Sequence, residues 1–159
     1  MKKVLINALI LIFIVGLISG CGTLGGIGDN IYFATSKKKL ETAIDSLYAQ
    51  HPENKILQEW KIFDTWSASG YDFLESRIFY FSNPDEMYYV TFVGDSTVLA
   101  DTGKIGIGIL AINKGNYKWL LDADLDSKEE KRIEKRFDNE IISKLREYTK
   151  VRTWKESSW

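Results

Sequence analysis

The stretch IGIGILAIN, residues 105 to 113, limits the possible folds more than any other. It opens with strict alternation. Ile105, Ile107 and Ile109 fall on one face of an extended chain, and Gly106 and Gly108 on the other. The turn sequences DTGK (101–104) and NKGN (113–116) bound it. It reads as a strand with one face bare of side chains. Glycine inside a strand often marks the close approach of another element. Two readings fit the stripe: a helix docks against it, or it forms a groove for a ligand or partner. It is not a phosphate loop, because neither Gly-x-Gly-x-x-Gly nor the Walker pattern is present.

The neighbouring segments extend the pattern. Phe73 to Phe81 and MYYVTFV (87–93) have strong β-propensity and flank the turn SNPDE, which predicts a hairpin. Thr97 to Ala100 and Tyr117 to Leu121 read as further short strands. Ser36 is a suitable N-cap for a helix to about Gln50, with Leu40, Ala43, Ile44, Leu47 and Tyr48 on one stripe. His51-Pro52 ends it, since the residue before proline avoids the helical region. Residues 53–70 are ambiguous. Ile56, Leu57 and Trp60 suit a short helix, and Ile62, Phe63 and Trp66 an irregular or extended piece. Ser127 to about Lys150 is the clearest helix. Ser127 and Glu130 match a capping box, and Ile133, Phe137, Ile141, Leu145 and Tyr148 form its stripe. The order predicts a single α+β domain over 36–159, an antiparallel sheet of about four strands flanked by an N-terminal and a C-terminal helix. A content of 45% hydrophobic and 27% charged residues suits such a globular domain.

The N-terminus carries an address. Met1-Lys2-Lys3 is a short basic start, and Val4 to Ile18 is apolar except for Asn7 and Gly16. That run is about 22 Å long as a helix, short of the ~20 apolar residues a bilayer span needs. It suits a signal-peptide core. Ile18-Ser19-Gly20-Cys21 follows, with the chain's single cysteine. This resembles the lipobox of bacterial lipoproteins. The resemblance implies cleavage of residues 1–20 and a lipid on Cys21, which anchors the mature chain in a membrane. Gly22 stands where enteric inner-membrane lipoproteins carry aspartate. By resemblance this leans toward the outer membrane, facing the periplasm. With its one cysteine lipidated, the mature chain has no internal disulfide and no thiol nucleophile. The glycine-rich residues 21–35 read as a flexible tether of at most about 50 Å.

Candidates for chemistry are few. Asp122, Asp124 and Asp126 have the spacing of the first calcium ligands of an EF-hand loop. The loop also wants glycine and glutamate where this chain has Ser127 and Ile133. The same acids suit a helix N-terminus. Lys37, Lys38 and Lys39 form a basic run at a helix start, a solvated face or a membrane-facing one. His51 is the only histidine, so a histidine triad or zinc site lacks partners. Trp154 and Trp159 lie in the polar tail VRTWKESSW, where they either fold back on the sheet or stand out as anchors for a partner. Trp60 and Trp66 suit packing or stacking on a sugar.

The expected function is therefore a lipid-anchored envelope protein with a non-enzymatic binding or assembly role. Its expected partners are the membrane, through Cys21, and an envelope protein. No cofactor is implied, and a formal net charge of −1 gives no general attraction to nucleic acid. The alternative is a cell-wall glycan enzyme with paired carboxylates, for which Asp72, Glu75 and Glu86 are candidates. A calcium-dependent module is a third class.

Overall fold

The structure is a computed structural model that describes residues 26–65, 76–94 and 103–156. These residues form an α+β fold with a six-stranded antiparallel sheet, two strands more than expected. The strands are β1 (Ile27–Phe33), β2 (Ser76–Phe81), β3 (Glu86–Val93), β4 (Ile105–Asn113), β5 (Trp119–Leu120) and β6 (Thr153–Glu156). Their order is β2-β3-β4-β1-β6, with β5 paired to the end of β4. Helix α1 (Lys37–Gln50) follows β1, and α2 (Ser127–Phe137) and α3 (Ser143–Thr149) precede β6. Among the described residues, no helix is long and apolar enough to cross a membrane.

β4 sits mid-sheet, and all nine of its residues are buried. Ile105, Ile107 and Ile109 face the helices, as their alternation predicts, and join Ile27, Ile31 and Phe33 of β1 in one core. Leu40, Ile44 and Leu47 of α1 cover that face, with Ile133, Phe137, Ile141 and Leu145 from the C-terminal helical segment. A bulge then breaks the alternation. Val90 and Tyr89 are adjacent in β3 but pair with Ile109 and Ala111, so Leu110 is the extra residue. Beyond it Ile112 returns to the helix side, while Leu110 and Ala111 join a second core on the opposite face. That core adds Tyr80, Met87, Tyr89 and Trp119 beneath two short 3-10 turns, Pro52–Asn54 and Gln58–Phe63. The Trp119 indole donates to the Phe63 carbonyl at 2.9 Å and fixes this cover.

Several boundaries differ from expectation. The tether expected over 21–35 does not reach Phe33, because residues 27–33 are strand β1. Its period of two is interrupted at Gly28 (φ +70°), where the register slips between Ile27 and Ile31. A bulge hidden among glycines reads as flexibility. The domain accordingly begins before residue 36. The tail expected beyond the last helix contains β6, which pairs with β1. Tyr117–Leu121 keeps only two residues of strand, at Trp119 and Leu120. The helix expected from Ser127 to Lys150 is interrupted by a π-helical turn at Asp138–Ile142. Its N-cap is Asp126, which accepts from the Lys128 and Glu129 amides, so Ser127 is the first helical residue and makes no capping box. The first helix is as expected. Ser36 accepts from the Lys39 amide, and the His51 amide closes the other end on Leu47. The Thr97–Ala100 strand, Phe73 to Glu75 and Trp66 lie outside the described residues.

One buried charge ties hairpin to helix. Glu86 opens β3 and is 2% exposed. Arg132 and Arg136, one helical turn apart on α2, both donate to its carboxylate, and so does the Tyr88 hydroxyl. Arg136 also donates to the Pro84 and Ser82 carbonyls of the β2–β3 turn and lies over the Phe81 ring. The exposed flank of the set is Glu129, held by Arg132 and Lys114. Removing Glu86 strips a buried anion from two guanidiniums, whereas Glu129 is a surface partner. Glu86→Ala should therefore lower unfolding free energy by about 3 kcal/mol. Glu129→Ala should cost less, about 1–2 kcal/mol, because its bidentate bond to Arg132 and its bond to Lys114 are partly solvated. Urea denaturation at pH 7 measures both.

The same set contributes to acid sensitivity. Hydrogen bonds from Arg132, then Lys114, hold the Glu129 carboxyl down to about 2, against 4.5 in an unstructured chain. A lowered folded value means the contribution is complete above about pH 4.5 and is lost as pH falls toward 2. Glu129→Gln should flatten stability against pH within that window, as read from urea midpoints at pH 5 and pH 3.

Candidate functional site

The glycine stripe of β4 turns away from the helices, and among the described residues no helix docks on it. What approaches it is the neighbouring strand. Tyr32 pairs with Gly106 in the β1–β4 ladder, and its ring lies over the glycine. A β-carbon added at Gly106 would stand 2.6 Å from that ring, and one at Gly108 would stand 2.2 Å from the Asn30 side-chain oxygen. The stripe is thus a bed for two cross-strand side chains. Beside Gly108 a small cavity of about 180 Å³ remains, lined by Asn30, Thr91, Phe92, Val93 and Leu110.

Trp154 reaches the same face from β6. It pairs with Tyr32, and the two rings stack with centroids 5.8 Å apart and planes 15° from parallel. Lys104 enters β4 beside them, its ammonium 4.2 Å from the Tyr32 centroid and 5.4 Å from that of Trp154. Arg152 lies 5.3 Å from the Trp154 ring. Glu156 completes the group, accepting from the Trp154 indole at 2.8 Å and from Lys104 at 3.0 Å. Those two bonds, the indole's first, hold its carboxyl below the usual glutamate range. Burial pushes the Tyr32 hydroxyl up; Glu156 adds to the shift and Lys104 opposes it. The result is a half-buried aromatic pair edged by two cations and a carboxylate. It presents flat apolar faces and charge-assisted hydrogen bonding, with no nucleophile set against a base.

The structure therefore brings Trp154 to the face of Gly106 and Gly108, from which it stands far apart in the sequence. Tyr32, Lys104 and Glu156 join them, and none of the three stands out in the sequence. Tyr32 falls within the expected tether, and only recognising β1 would place it. Of the remaining candidates, Cys21, Trp159, Asp72 and Glu75 lie outside the described residues. Trp60 packs edge-on against Tyr80 and Phe63. The His51 ring meets Glu53 at 3.0 Å in the turn after α1. Lys37 pairs with Glu41, while Lys38 and Lys39 are exposed.

The aspartates do not converge. Asp124 bonds Lys118 and the Leu121 amide, and Asp126 caps α2. Asp122 only opens the short turn between them. Among the described residues, no group of three acids, histidines or cysteines is arranged to hold a metal ion. Glu86 is committed to Arg132 and Arg136, so it is not placed as a free acid or base. No protein-family model, curated protein or solved structure matches the chain.

Trp154→Ala should undo the stack and release Glu156. The Glu156 carboxyl should then titrate upward, toward 4.5, in side-chain carbon NMR. Gly106→Ala should push the Tyr32 ring off Trp154 and weaken the near-ultraviolet circular dichroism of the pair.

Proposed function

We propose that this chain is a lipoprotein of the bacterial envelope, anchored through Cys21, with a non-enzymatic binding or assembly role. The anchor rests on the residue pattern from Met1 to Cys21. The binding role rests on one observation, the Tyr32–Trp154 pair edged by Lys104, Arg152 and Glu156. Aromatic rings flanked by arginine are the chemistry that dominates protein contact surfaces. The chain from Cys21 to Ile27 is short, about 20 Å when fully extended. The anchor would therefore hold this face close to the lipid surface, here assigned to the outer membrane on its periplasmic side. The partner is an envelope protein met at that surface.

Cys21→Ser should abolish incorporation of radiolabelled palmitate and release the protein from the membrane fraction. Label retained in the variant would overturn the anchor. A photo-crosslinking residue at position 152, on the same side of the chain as Trp154 and next to its ring, should capture one dominant envelope protein in intact cells. That adduct should disappear when Trp154 is changed to alanine. A product pattern unchanged by the alanine would remove the aromatic pair from the binding role.

A further inference from the structure

The other edge of the sheet carries a separate concavity. Among the described residues β2 is that edge, four strand spacings from β6, or about 19 Å. Its outward carbonyls are already occupied. Arg77 donates to Ser76, Tyr48 to Ile78 and Asn54 to Tyr80. Main-chain pairing with another strand is thereby blocked, and what this edge offers is side chains. They frame a cleft of about 420 Å³, within the range of small-ligand sites.

Three cations line the cleft: Lys55, Lys61 and Arg77. No described carboxylate lines it. Glu41 reaches Arg77 at 3.4 Å, but Lys37 already holds that carboxylate at 3.2 Å. The Lys55 ammonium stands 5.9 Å from the Tyr48 ring centroid. Among the described residues, neither Lys55 nor Lys61 has an ion-pair partner. Ile56, Ile78 and the Tyr48 ring supply apolar wall. Like charges gathered around one concavity repel one another, and a bound anion relieves that repulsion. Two ammoniums act as point charges, and a guanidinium adds directional donors, a set suited to phosphate oxygens.

We propose that this cleft binds a phosphate ester, with the phosphate between Lys55, Lys61 and Arg77 and its organic part against Ile56, Ile78 and Tyr48. A soluble phosphate ester and a phospholipid headgroup share that chemistry. The site does not depend on the aromatic face or on the anchor.

The test uses the full chain in a neutral detergent, at constant ionic strength, followed by amide NMR. Glycerol 3-phosphate, dihexanoyl phosphatidylglycerol and uncharged glycerol are titrated in turn. Saturable shifts at Lys55, Lys61 and Arg77 are expected with a phosphate probe and not with glycerol. A response to glycerol 3-phosphate identifies a soluble ester. A response to the short-chain lipid alone identifies a headgroup. The Lys55→Ala/Lys61→Ala variant should keep the wild-type Tm, because both side chains are exposed, and should bind roughly tenfold more weakly. No saturable shift with either phosphate probe would overturn the proposal. So would equal affinity in the double variant.

Discussion

The two-sided burial of β4 organises the molecule. A strand with no exposed residue must be covered twice, and the two covers are built differently. On one face, α1 and the C-terminal helical segment supply long apolar stripes. On the other, part of the cover is the irregular segment from Pro52 to Phe63, and part is the side chains of β1 itself. The bulge at Leu110 divides these tasks along the strand. Without the extra residue, Ile109 and Ile112 could not both face the helices, since positions three apart in an unbroken strand point to opposite faces.

Charge adds a second constraint. Glu86, Arg132 and Arg136 join the β2–β3 turn to α2 across the edge of the main core. Buried ion pairs contribute little net stability compared with apolar packing, but they tolerate few geometries. Here the carboxylate accepts from two residues one helical turn apart, which fixes how α2 is rotated relative to the hairpin. The π turn at Asp138–Ile142 lies just beyond. It falls between Phe137 and Leu145, and both remain in the core despite the changed pitch.

Regular periodicity is legible in the sequence; departures from it are not. Ser36 and the stripe from Leu40 to Leu47 predict α1 closely, because cap and period agree. The hairpin around Pro84 and the first half of β4 are equally plain. β1 is hidden because a positive-φ glycine and a register slip separate Ile27 from Ile31. β6 is hidden because TWKE is short and polar, and its strand state comes from pairing with β1. The candidate site shares this difficulty. Gly106 stands out as an anomaly, but its meaning depends on Tyr32, which belongs to the strand that the pattern conceals.

β1 also determines how the domain would bear a load. It lies between β4 and β6, hydrogen-bonded on both sides, and the chain enters it at Ile27. A pull delivered through the N-terminal chain along the strand axis meets two ladders whose bonds lie perpendicular to it. Those bonds are strained together in shear, where an edge strand pulled outward would lose them one at a time. A load applied through this first strand would meet the mechanically strongest kind of attachment a sheet provides.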